Sequence, residues 1–125
     1  MARQRLQPKT LEDPVRYSRG WKVDKTVYLA GALGQNPDGS LTADIRVQTQ
    51  RAFEQLEAVL HEAGGRLQDI VKLTVFITDM RHREGYGEVR ASFFPGDAPA
   101  STLIQCVALA VPSALIEIEG IAVLD

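Results

Sequence analysis

The last quarter of the chain constrains it most. From Leu115 to Leu124 the residues alternate: Ile116, Ile118, Gly120 and Ala122 fall on one face, and Leu115, Glu117, Glu119, Ile121 and Val123 on the other. A period of two marks a β-strand. A second apolar, β-branched run, Thr102 to Leu109, precedes it across Pro112-Ser113, so the two runs are predicted to form a C-terminal β-hairpin. Glu117 and Glu119 share a face, about 7 Å apart along the strand. Charged groups are rarely buried unless paired or solvated, so that face must meet water, a partner subunit or a ligand.

The other elements must cover this hairpin. Residues 1–13 are polar and are expected to lie loosely on the surface. Val15 to Val23 alternates and reads as a first strand, Asp24-Lys25 as a turn, and Thr26 to Gly31 as a second strand, giving a hairpin over 15–31. Pro37-Asp38-Gly39-Ser40 carries turn chemistry. Ala43 to Ala63 has the helical period: Phe53, Leu56, Leu60 and Ala63 recur at spacings of three and four, with Ala52 and Val59 alongside. Thr42 or Asp44 is placed to cap it, and Gly64-Gly65 to end it. Val71, Leu73, Val75 and Ile77 predict the inward face of a strand over 69–78. A second helix is expected from Met80 to Phe94, with Tyr86, Val89 and Phe93 as its apolar stripe. Gly85 and Gly87 weaken it by about 1 kcal/mol each. The order β-β-α-β-α-β-β predicts an α+β domain spanning 1–125, a mixed sheet with two helices packed on one face.

At 125 residues the chain has material for one core. A net charge of −2 leaves no basic footprint for nucleic acid. No stretch approaches the roughly 18 apolar residues of a membrane span, and the polar N-terminus does not read as a signal peptide. The single cysteine, Cys106, cannot pair within the chain, which fits a reducing, cytoplasmic setting; it reads as a small buried hydrophobe. His61 and His82 have no second ligand at metal spacing, and no phosphate loop or nucleophile elbow is present, so no metal or cofactor is expected.

The tail carries one more signal. Pro99-Ala100, then a strand, then Pro112 and Ile116-Glu117-Ile118-Glu119-Gly120-Ile121-Ala122 resembles the C-terminal signature of the RidA/YjgF family of reactive intermediate deaminases, roughly PAR(S/T)xVxVxxLPxxxxVEIEAIA. The resemblance runs from Tyr17 to Val123. It implies the RidA/chorismate-mutase-like fold and a homotrimer with small-molecule clefts between subunits, formed through the sheet face that the helices leave bare. It also implies roles for individual residues. Glu117 matches the cleft glutamate that positions water; without the resemblance it reads as a solvated or paired strand acid. Tyr17 matches an N-terminal tyrosine able to hydrogen-bond and pack against a ligand, or it is an ordinary half-buried aromatic. Arg19 lies two residues along and reads equally as a surface charge. Gly31 matches the glycine of a (S/A)GQ turn, where backbone can approach a ligand; Ala30 and Ala32 replace its polar neighbours, and Gln35 stands a few residues on.

The sequence departs from the family at Pro99-Ala100-Ser101-Thr102. Family deaminases carry an arginine after Pro-Ala that grips the substrate carboxylate. Here Ser101 takes that place, or Thr102 when counted back from Glu117. The backbone of Ser101, Thr102 and Leu103 remains available to hold substrate. Arg90, one turn beyond the family's helix asparagine position at Gly87, is the candidate replacement cation; it reads also as a surface charge. The resemblance therefore implies a cofactor-independent enamine or imine hydrolase with an altered substrate range. The alternative is a trimer that binds a small metabolite or a protein without turnover. A ribonuclease reading, attached to some family members, fits poorly with the acidic balance.

Overall fold

The computed structural model describes residues 2–125. Six strands form one sheet: β1 (Arg3–Leu6), β2 (Gly20–Val23), β3 (Thr26–Leu33), β4 (Ile70–Ile77), β5 (Ala100–Gln105) and β6 (Ile116–Val123), in the order β1-β2-β3-β6-β4-β5. Two α-helices accompany them, α1 (Ile45–Glu62) and α2 (Arg83–Phe93), with short 3-10 turns at Leu67–Asp69 and Met80–His82. Every strand pair is antiparallel except β4 with β5. The expected α+β architecture is present: a mixed sheet with two helices over one face.

The alternation of β6 resolves as read. Ile116, Ile118 and Ala122 are fully buried against α1, while Glu117, Glu119, Ile121 and Val123 face away from the helices. However, β6 does not form a hairpin with β5. It lies between β3 and β4 and pairs with both. The α2 segment instead carries the chain from β4 across to β5, which adds as a parallel edge strand; parallel neighbours need such a crossover. Sequential runs are neighbours only about two-thirds of the time, and a strand as apolar on its inner face as β6 gains most at the centre.

The N-terminal expectations are corrected too. Residues 3–6 are not loose: they form edge strand β1, and Leu6 is buried in the core. The stretch 15–19 is not strand. Asp13 Oδ1 accepts from the Val15 N–H at 2.8 Å, and Val15 takes a left-handed φ of 67°. That turn breaks the pairing before Gly20. The hairpin thus begins at β2, and Asp24 (φ 53°) makes the turn into β3.

The helices behave largely as the spacing predicts. Asp44 caps α1 by accepting from the Arg46 N–H, and Phe53, Leu56, Leu60 and Ala63 are buried. The Gly64 N–H bonds to His61 O and the Gly65 N–H to Leu60 O, with Gly64 at φ 80°, a Schellman ending. The second helical segment starts as a 3-10 turn capped by Asp79 and continues as α2. Phe53 stacks at 5.1 Å on Phe93 and meets Phe94 edge-on at 5.6 Å, joining the helices. In β4 the inward set is Ile70, Leu73, Val75 and Ile77; Val71 is half exposed, because a bulge between Ile70 and Lys72 turns it outward.

Candidate functional site

The open face of the sheet carries Glu117. On β6 it lies opposite Leu33 of β3 and Phe76 of β4. The β3 ladder slips between Leu29 and Ala32, and Gly31 falls within that irregularity. A β-carbon on Gly31 would come within 2.7 Å of the Glu117 carboxyl carbon. The bulge and the missing side chain therefore create the space that the carboxylate occupies. Among the described residues, Glu117 has no ion pair and no side-chain hydrogen bond. Burial pushes its carboxyl pKa up, and the Glu119 charge pushes it further. Both effects disfavour the ionised form. This is a carboxylate held as a stronger base than usual, with its lone pairs free.

Tyr17 and Arg19 approach from the loop before β2. Together with Ala30, Gly31, Ala32 and Gln55 they border one small hollow beside the bulge. They do so from a loop and not from a strand face as expected. Tyr17 is half exposed, and Arg19 Nε donates to the Glu12 carbonyl at 2.9 Å. Gln35 lies further out, in an open cleft of about 430 Å³ that also includes Arg19, Asn36 and Arg51.

The remaining candidates belong to β5 and α2. Ser101 pairs with Leu73, a fully buried core residue, so it shares the helix-covered face; Thr102 pairs with Thr74 on the open face. Thr102 Oγ1 accepts from Lys72 Nζ at 2.7 Å. Leu103 is half-buried against the core. Cys106, expected as a buried hydrophobe, is only half-buried in the connection after β5. Arg90 lies with its guanidinium 5.7 Å from the Tyr86 ring centre. Glu117 stands level with Phe76 and Ile104, so Ser101 is two strands across and three residues along, about 14 Å away in the sheet, and on the opposite face. Within one chain Tyr17, Arg19 and Gly31 border one hollow closed by Gln55, Leu56 and Val59 of α1, Glu117 lies against Gly31 on the central strand β6, and Arg90 and Ser101 lie toward the β5 edge.

Two residues escaped the sequence reading. Gln48, fully buried on α1, donates to Thr42 O and Ser113 O and accepts from the Leu115 N–H at 2.8 Å. It clamps the chain just before β6 and so positions Glu117. Its place on the buried side of α1, where a polar residue needs partners, was the available signal. Tyr86, read only as helix stripe, places its hydroxyl beside Arg90 and Ser101. Among the described residues no group of three or more His, Cys, Asp or Glu side chains could hold a metal ion, and no helix is long and apolar enough to cross a membrane.

Comparison with known proteins gives a consistent answer. The sequence pattern of the family described as Endoribonuclease L-PSP matches residues 8–124. RidA from an Antarctic Psychrobacter species is 32% identical, with a TM-score of 0.91 over 97% of this chain and 99% of that one. Rv2704 of Mycobacterium tuberculosis, a member of the YjgF/YER057c/UK114 family, is 31% identical, with a TM-score of 0.86 over 98% and 100%. E. coli TdcF, whose structure holds bound serine, is 28% identical, with a TM-score of 0.91 over 98% and 99%.

Proposed function

We propose, for a chain that belongs to the Endoribonuclease L-PSP family of RidA and YjgF proteins, that it is a homotrimer hydrolysing reactive enamines or imines at clefts between subunits. The observation that carries this reading is Glu117: a desolvated, unpaired carboxylate seated against the Gly31 bulge on the sheet face that the helices leave bare. A carboxylate with a raised pKa is a better general base at neutral pH. It would accept a proton from water as the water oxygen bonds to the imine carbon. Returning that proton to nitrogen lets the carbinolamine break its C–N bond while its hydroxyl proton passes to the freed carboxylate, so that a protonated imine and water give a carbonyl compound and ammonia. Water supplies the oxygen and no redox partner is needed. An enamine substrate first takes a proton on carbon to become the imine.

Two features support assembly. Tyr28, Ile104 and Val123 project from the bare face at 50%, 41% and 46% exposure, an apolar surface that a second copy would cover. The two groups of candidate residues also lie too far apart in one chain to share one small ligand, whereas a cleft between copies can join one chain's Glu117 to another's Ser101. The serine in the TdcF structure shows that a related protein holds a small carboxylate-bearing molecule.

The test is release of ammonia and keto acid from freshly generated 2-aminoacrylate. Acceleration over buffer is expected for the wild type, with a loss of at least a hundredfold in Glu117→Ala. Absence of acceleration by a folded wild-type protein would overturn the hydrolase reading. It would favour the second one, a trimer that binds a metabolite or protein without turnover, for which the arginine-free Pro99-Ala100-Ser101 sequence is the specific support.

A further inference from the structure

The connection between β1 and β2 contains a strained turn. The Arg16 N–H donates to Pro14 O at 2.7 Å across Val15, whose φ is 67°. A three-residue turn closed at positive φ is the rare, strained form of the γ-turn, and a β-branched residue suits it poorly. Burial does not offset the strain, because Val15 is 84% exposed and Tyr17 beyond it 54%. One side chain clamps the turn from both sides. Arg5 of β1 donates from its two Nη atoms to Asp13 at 2.9 and 3.4 Å, and from Nε to Ser18 Oγ at 2.9 Å. The Arg5–Asp13 pair is solvent-exposed, and an exposed ion pair contributes little to stability. The two ends of the segment are fixed independently of this clamp. Leu11 packs against the core and its carbonyl accepts from Gln7 Nε2 at 2.8 Å, while Arg19 O accepts from the Ala30 N–H at 2.9 Å. A strained turn between fixed ends, closed by a weak clamp, lies close to balance between two states. Beside it is the hollow bordered by Tyr17, Arg19, Gly31 and Val59, which at about 10 Å³ has room for no more than a water molecule.

We propose that residues 12–18 form a latched strap whose opening uncovers the hollow beside Gly31, with Arg5 as the latch and Val15 as the strained turn that drives the strap open. In the closed state the strap holds Tyr17 at the rim of the hollow. When Arg5 releases Asp13 and Ser18, Val15 relaxes to negative φ and carries Tyr17 away from the rim. Gly31, against which the Glu117 carboxylate rests, then gains an open approach from the neighbouring cleft of about 430 Å³, which shares Arg19 and Gln55 with the hollow. Leu11 and Arg19 serve as the hinges, because both are tied to the fold. The edge strand β1 thereby controls a segment of the site through one arginine. This deepens the Glu117 reading as regulation of access, and rests on it only for what the hollow serves, since opening is measurable without turnover.

The experiment combines two measurements on the whole protein. The first is amide hydrogen exchange of the Arg16 N–H, corrected for intrinsic rate. Arg5→Gln leaves both turn hydrogen bonds chemically possible and should speed this exchange about three- to tenfold. Val15→Gly accepts positive φ without strain and should slow it by a similar factor, about three- to tenfold. Protection in β6 should stay unchanged in both variants. The second measurement reads the hollow itself, through a thiol placed on its wall in Val59→Cys with Cys106→Ser. Its rate of modification by iodoacetamide should rise when Arg5→Gln is added and fall when Val15→Gly is added. Exchange or labelling that is equal in all three backgrounds, or faster in Val15→Gly, would overturn the strap. Loss of protection in β6 in step with Arg16 would also overturn it, by making Arg5 a support of the whole fold. Opposite shifts from Arg5→Gln and Val15→Gly in a protein that fails to hydrolyse imines would sustain the strap and overturn only the hydrolase.

Discussion

β5 and β6 are successive strands in the sequence, each within a run that reads as apolar and β-forming, yet they occupy opposite positions in the sheet. β6 is central, paired on both sides, with its inner side chains fully buried; β5 is an edge, paired only with β4, and most of its side chains are exposed. Strand propensity reports that a residue suits a half-buried pleated surface. It does not report how many neighbours the strand will have. The strict alternation of β6 reports that each of its two faces has a fixed environment, and not that it lies between β3 and β4. β5, running Ala-Ser-Thr-Leu-Ile-Gln, has no such division.

The largest expected effect separates the two strands directly. Ile118→Ala on β6 removes a side chain with no exposure and should cost about 2–5 kcal/mol in denaturant unfolding. Ile104→Ala on β5, where 41% of the residue is exposed, should cost under about 1 kcal/mol in the isolated chain. If copies pack on the bare face, the Ile104 variant should instead show stability that depends on protein concentration. Equal losses at both positions, independent of concentration, would break the contrast between centre and edge.

What the sequence made legible follows the same division. α1 and β6 were readable because each has one fully buried face, which imposes a strict period. Pairing was not readable: the parallel β4–β5 crossover depends on where α2 lies, and no local pattern states that. The N-terminal strand was missed because three of its four residues are exposed and polar; only Leu6 reaches the core. Val15 to Arg19 alternates as a strand would, but the Asp13 side chain offers the Val15 N–H a local partner, which favours a turn. For the site, the resemblance singled out Glu117 and Gly31 separately. Their mutual contact is visible only in the structure, since it depends on an irregularity in β3 that no residue type announces.

That contact gives the next effect in size. Gly31→Ala would drive a methyl group into the Glu117 carboxylate, and the strand or the side chain must shift. A cost of about 1–3 kcal/mol is expected. In the double variant Gly31→Ala/Glu117→Ala the obstruction is gone, so most of the loss should return, with a coupling of about 1 kcal/mol or more by double-mutant cycle. Simple additivity would mean that the glycine serves backbone conformation alone, and that the carboxylate does not rely on the bulge for its place.

The smallest effect tests the carboxylate itself. Glu117 is desolvated and faces Leu33, Phe76 and Gly31 from the adjoining strands, with the Glu119 charge beside it. Its folded pKa lies above the ordinary value of 4.5. The unfolded chain therefore releases this proton more readily than the folded one. Any stability the protonated group confers is fully present below about pH 4.5 and is lost as pH rises through the folded pKa. Glu117→Gln has no proton to lose. Its melting temperature relative to the wild type should therefore rise from pH 4 toward pH 7 and then level off, by no more than a few degrees. Glu119→Gln should lower the pKa of Glu117 and reduce the same rise, by less than Glu117→Gln abolishes, since burial is the larger cause. No comparable pH dependence is expected for Ser101→Ala on β5, which carries no titrating group. A Glu117→Gln difference that stays flat from pH 4 to 8 would show that the carboxylate is solvated in the protein as it exists. The centre of the sheet would then hold an ordinary surface acid, and the chemical distinction between β6 and its edge neighbour would vanish along with the base.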